Sequence, residues 1–191
     1  MKIISVGLYR IINDSNGDDI VTISEKQGLS SFNFFQKSSI SEMCQFISKL
    51  LTKQIYNNRN IDTESVTYNN FMCHCHIPIG SNVSAVIITD GEYPKRIIYQ
   101  LLFKLTSDEN ISDIDLGDII HKYQDPKKID SLMRVKDDLR ETKEILVKSI
   151  DAVLGRGEQL DVLVEKSAEL SRQSKLFYKQ ARRTNSCCTI S

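Results

Sequence analysis

Residues 153–167 read VLGRGEQLDVLVEKS, and the phase of that stretch organises the chain around it. Val153, Arg156, Leu160, Leu163 and Ser167 fall at alternating steps of three and four, the spacing of a coiled-coil seam. The same steps run upstream through Ser149, Leu146, Thr142, Leu139, Val135 and Leu132, and downstream through Leu170, Ser174, Phe177, Ala181 and Thr184. Ten of these sixteen positions are apolar, against 40% for the chain, while the positions between them are dense in charge. A seam kept over more than seven heptads predicts a coiled coil rather than an ordinary amphipathic helix. At 1.5 Å per residue it extends roughly 80 Å, too long to pack on a small domain.

Arg156 sits in the middle of the seam. An unpaired guanidinium there costs several kcal/mol, so it demands acceptor groups from partner helices. The other polar seam residues, Thr142, Ser149, Ser167, Ser174 and Thr184, are small. They leave room for larger side chains from other helices and make self-pairing poor. Gly155 and Gly157 flank the arginine, each costing roughly 1 kcal/mol of helix propensity relative to Ala. Alone, the segment is expected to be largely disordered and to fold on binding.

Upstream of Tyr123-Gln124-Asp125-Pro126 the character changes. Lys2 to Ile12 and Ile20 to Glu25 read as strands joined by an Asn/Asp/Gly turn. Ser39 or Ser41 caps a helix to about Ile55, with Ile40, Met43, Cys44, Ile47, Leu50 and Leu51 at helical spacing. Val66 to Ile77 and Val83 to Thr89 read as further strands around a turn at 78–82. Pro94 opens a helix to about Leu105, and a weaker one covers Ser112 to Lys122. This order predicts one α+β domain with an antiparallel sheet and helices on its faces. The expected units are a domain at 1–123, the coiled-coil segment at 127–186 and a tail at 187–191.

Of the 191 residues, 25 are basic and 25 acidic, and the zero balance argues against a nucleic-acid partner. That balance hides 14 acidic and 11 basic groups in 1–124, and 11 acidic and 14 basic groups in 125–191. No apolar run approaches the roughly 18–20 residues that span a bilayer. Cys73-His74-Cys75-His76 invites a metal reading, but in a strand the cysteines face one way and the histidines the other. Sheet packing is the expectation, with no metal and no cofactor. No phosphate-binding GxxxxGK[ST] loop or GxSxG elbow is present, and no catalytic residue is assigned.

VLGRGEQLDVLVEKS at 153–167 resembles the central region of an R-SNARE. The strings SSFNFFQKSS at 30–39, ITDGEYP at 88–94, KYQDP at 122–126, LRETK at 139–143 and SKLFYKQARRTNSCC at 174–188 are similar to the lipid-anchored, longin-type branch of that family, relatives of synaptobrevin without a transmembrane helix. The resemblance covers almost the whole chain. It implies a profilin-like longin domain, a five-stranded antiparallel sheet with helices on its faces, followed by a SNARE coiled-coil helix. It implies that Arg156 forms an ionic layer with three glutamines from Q-SNARE helices in a parallel four-helix bundle that docks and fuses vesicles. It implies that the longin domain folds back on the SNARE segment and lipid. The places implied are the cytosol and the cytoplasmic face of endomembranes: Golgi, ER and vesicles, with vacuole or endosome. A lipid-anchored coiled-coil tether or adaptor that does not drive fusion is the alternative.

The chain stops at Cys188-Thr189-Ile190-Ser191, a prenylation box whose terminal serine favours farnesyl on Cys188. Cys187 is the expected second lipid site, as a palmitate or a second prenyl, because one chain gives only marginal membrane binding. Arg172, Lys175, Lys179, Arg182 and Arg183 supply positive charge with no acidic residue after Glu169. A prenylated protein in water must hide its lipid, and the first helix offers a groove. Phe46 falls about 100° from the centre of the helix's core stripe, beside Met43 and Leu50. There it forms a groove contact with the SNARE segment or lipid, or else simply edges the core.

Overall fold

A computed structural model describes residues 2–14, 17–58, 62–108, 110–133, 147–154 and 159–186. A hairpin of β1 (Ile3–Asp14) and β2 (Gly17–Gln27) is followed by α1 (Phe34–Asn57), then β3 (Thr63–Tyr68), β4 (Phe71–His76) and β5 (Val83–Asp90). Next come α2 (Lys95–Ser107), a 3-10 turn at Ile111–Asp113, α3 (Leu116–Tyr123) and α4 (Pro126–Met133). The sheet order is β2-β1-β5-β4-β3, antiparallel throughout, with a sixth strand outside β3.

Alternation along the strands sorts side chains into two cores. On β5, Ala85 and Ile87 face the layer of α2, α3 and α4, while Val86 and Ile88 face α1. On β4, Cys73 and Cys75 lie in the α1-side core, and His74 and His76 turn to Tyr99 and Phe103 of α2. The end of the domain is tied to its beginning: Gln124 Nε2 donates to the Ile3 carbonyl at 2.8 Å. A side chain at Gly28 would sit 2.8 Å from that same carbonyl oxygen.

The α+β class read from the sequence holds, with four differences in detail. Val66 to Ile77 is not one strand but most of a hairpin, because Asn69 takes a left-handed φ of 51° and turns the chain. Helix α1 begins at Phe34, a turn and a half before the serines expected to cap it. Its first turn is exposed, so burial periodicity could not report it. The weak helix at 112–122 splits into the 3-10 turn and α3, where Asp115 caps α3 by accepting from Gly117 N at 2.8 Å and Asp118 N at 3.2 Å.

The largest difference lies beyond Pro126. In place of a single extended coiled-coil helix, the described residues hold α4, then β6 (Val147–Ser149), α5 (Ile150–Val153), α6 (Leu160–Lys166) and α7 (Arg172–Ser186). β6 adds parallel to β3, making the expected five strands six. The physical reason is burial: without partner helices, the apolar side chains of this segment leave water only by breaking the helix and packing on the domain.

Candidate functional site

The face of α1 and β3 that receives this segment is built from residues at helical spacing. Ile40, Met43, Cys44, Ile47 and Leu51 are all at most 6% exposed and point from α1 into one apolar cluster. The returning segment contributes Ile150, Leu154, Leu160, Val164, Leu170 and Tyr178 to the same cluster, each at most 8% exposed. Val153, Leu163 and Phe177 pack against it half-buried, as do Phe46 and Leu50. A cavity of about 200 Å³ remains between α1, the β3–β4 turn and α7. Ile40, Met43, Cys44, Tyr68, Phe71, Phe177 and Ala181 line it.

Polar contacts fix the register of this packing. Glu42 Oε2 accepts from the Ser171 amide at 2.8 Å. Slight burial works against that carboxylate, yet the Ser171 amide and neighbouring hydroxyls bring its pKa below the ordinary value. Lys49 pairs with Glu169 at 3.2 Å, and Gln173 Nε2 donates to the Phe35 carbonyl at 3.3 Å. At the other end Lys148 meets Glu64 at 3.2 Å. Tyr178 stacks on Tyr68 with ring centres 6.1 Å apart and planes within 2°. Its hydroxyl donates to Asp161, which also pairs with Arg182. Burial raises the pKa of the Tyr178 phenol, with Tyr68 and Asp151 adding to the shift. Glu165 binds the two lysines of α7: its carbonyl accepts from Lys175 and its carboxylate pairs with Lys179, both at 2.7 Å.

The residues singled out from the sequence are distributed unevenly over this site. Leu160 and Leu170 are buried in it, Val153, Leu163 and Phe177 edge it, and Ala181 lines the cavity. Met43 is buried, with Phe46 and Leu50 beside it. Leu132 belongs to α4. Val135, Leu139, Leu146, Arg156, Cys187 and Cys188 lie outside the described residues. Of the five basic residues near the end, Lys175, Lys179 and Arg182 are held by groups of α6, while Arg172 and Arg183 are exposed.

Sequence reasoning missed four buried residues: Ile150, Leu154, Val164 and Tyr178. Each stands one position after a seam residue. The signal was present as a second spacing. Buried positions within each short piece are four apart: 150 and 154, 160 and 164, then 170, 174 and 178. One segment therefore carries a heptad stripe and, rotated by about 100°, an i, i+4 stripe.

Residues 131–189 match the Synaptobrevin family, and residues 29–108 match the Longin family, described as a regulated-SNARE-like domain. The chain is 37% identical to the Synaptobrevin homolog YKT6 of Debaryomyces hansenii and 36% identical to that of Saccharomyces cerevisiae, each alignment covering all of both chains. It is 36% identical to the VAMP-like protein YKT61 of Arabidopsis thaliana, over 90% of this chain and 92% of the relative. Among the described residues no helix is long and apolar enough to cross a membrane.

Proposed function

The chain belongs to the longin-bearing synaptobrevin family and is an R-SNARE of vesicle fusion; we propose that it works by zippering residues 127–186 with three Q-SNARE helices, with Arg156 setting the register. The observation that carries this reading is the seam from Leu132 to Ala181, interrupted at its centre by one arginine. The work is mechanical: bundle formation, running from Leu132 toward Thr184, draws two bilayers together. The domain of residues 1–123 controls availability. Leu160 and Leu170 cannot be buried against α1 and in a bundle core at once, so closure and assembly exclude each other.

Residues 187–191 act as the lipidation tail, Cys188 carrying farnesyl and Cys187 a palmitate or second prenyl. Arg172, Lys175, Lys179, Arg182 and Arg183 supply the charge that meets anionic headgroups. The cavity beside Met43 and Phe177 supports a hiding place for a prenyl chain while the molecule is closed. The place of action is the cytoplasmic face of endomembranes, among Golgi, ER and vesicles.

Mixing the full chain with three Q-SNARE helices tests the central claim. A stable four-helix complex is expected, less stable with Arg156→Leu when the three glutamines are kept. Failure to assemble would leave the tether reading in its place. Intact-mass analysis of membrane-bound native protein tests the tail: an unmodified Cys188 would remove the anchor.

A further inference from the structure

Closure buries one side of α7 and leaves the other bare. Ser174, Phe177, Tyr178 and Ala181 face the domain. At about 100° per residue, Arg172, Leu176, Lys179 and Arg183 share the opposite face, at i, i+4, i+7 and i+11. Leu176 is 59% exposed on this stripe. Lys179 is matched by Glu165, whereas Arg172 and Arg183 have no ion-pair partner among the described residues.

Beside the N-terminal turn of α7 stand two far more exposed side chains. Phe34 is 82% and Phe35 81% exposed, their rings edge-to-face at 5.8 Å. The Gln173–Phe35 hydrogen bond places the pair at the rim of the α7 stripe, and Lys37 follows one helical turn after Phe34. Nearby acids are engaged within the molecule: Glu42 by the Ser171 amide, Glu169 by Lys49 and Glu165 by Lys179. The surface thus combines three large apolar side chains with two arginines that have no ion-pair partner among the described residues. That is the chemistry of an anionic bilayer interface: rings enter the headgroup boundary while arginines meet lipid phosphates.

We propose that Phe34, Phe35 and Leu176, together with Arg172 and Arg183, form a docking surface for anionic membranes that the protein uses while still folded back. The surface builds on the membrane attachment proposed above, but it is made of protein and works without either lipid. Testing it on the unlipidated full chain keeps the two ideas separable, since assembly with Q-SNARE helices is measured apart.

The experiment is co-sedimentation with vesicles of phosphatidylcholine alone and of phosphatidylcholine and phosphatidylserine in equal parts, with amide exchange followed on the bound protein. The expected result is binding to the anionic vesicles only. Phe34→Ser/Phe35→Ser and Arg172→Glu/Arg183→Glu should each weaken it about tenfold or more, and α6 should stay protected in the bound state. These side chains are exposed, so circular dichroism and melting should match the wild type. Binding that ignores both variants, or no preference for the anionic vesicles, would overturn the proposal. Loss of α6 protection on binding would do so too, because the closed form would not be the one that docks. Dimerisation without vesicles that Phe34→Ser/Phe35→Ser abolishes would assign the face to a second copy of the chain instead.

Discussion

His74 sits within β4 with its ring edge-on to Tyr99 at 5.8 Å and its Nδ1 sharing a 2.8 Å hydrogen bond with the Ser65 hydroxyl. Burial, and then the charge of Lys95, pushes its pKa down to about 4. An unfolded histidine titrates near 6.5. Between those values the unfolded chain binds more protons than the folded one, so this residue's contribution is intact above about pH 6.5. It is lost as pH falls toward 4, by roughly 3 kcal/mol in all. His74→Asn, whose amide can take the place of Nδ1 toward Ser65, should flatten that part of the profile, as urea midpoints at about pH 7 and about pH 5 would show. Phe46 offers a different handle, half-buried on α1 against the edge of the apolar cluster that the returning segment joins. Phe46→Glu removes apolar contact and brings in a charge that the cluster cannot solvate. The expected outcome is several-fold faster proteolysis of the segment, with the sheet's near-native circular dichroism retained; unchanged digestion would make Phe46 a core-edge residue only.

Two stripes on one segment can be separated by substitution. Val164 belongs to the i, i+4 stripe buried in the closed form, and Leu160 belongs to both stripes. Val164→Ser should weaken closure by roughly 1–2 kcal/mol and speed assembly with Q-SNARE helices about tenfold, with the melting temperature of the finished bundle unchanged. Leu160→Ser should speed assembly and also lower that temperature; stopped-flow anisotropy and thermal melts separate the two. The same pair shows what the sequence could and could not say. Leu160 was legible because heptad phase continues over many turns, and the opposite facing of the cysteines and histidines of Cys73 to His76 was legible because neighbours in any strand point to opposite faces. Val164 was not, because a stripe four residues apart lasts only one turn in α6 before the chain bends. Phe34 and Phe35 were invisible as helix because they bury nothing, and the β3–β4 turn is marked only by Asn69-Asn70, without a glycine or proline to punctuate the run. Closure itself came from resemblance rather than from pattern, since nothing local in β3 announces that residues 147–149 will pair with it.

The closed molecule is held mainly by its apolar cluster and, at β6, by the Lys148 pair with buried Glu64, while the exposed ion pairs at the rim carry modest weight. Lys49 and Glu169 have side chains 30% and 58% exposed, and such pairs contribute about 0–1 kcal/mol. Raising salt to about 1 M, where screening acts within roughly 3 Å, should therefore leave amide protection in α6 nearly intact; a collapse of protection would show that charge holds the molecule shut. Opening has a cost beyond the lost cluster. Once residues 147–149 depart, Thr63–Tyr68 becomes a bare margin of the sheet, its outward amides and carbonyls ready to recruit a strand from another chain. An opened molecule is therefore expected to associate with its own kind unless partner helices capture it first. Phe46→Glu and Val164→Ser should accordingly scatter light progressively on standing, and added Q-SNARE helices should suppress it. Holding the fusion helix in reserve therefore also covers the middle of that margin, Ser65, Val66 and Thr67, which residues 147–149 pair in the closed form.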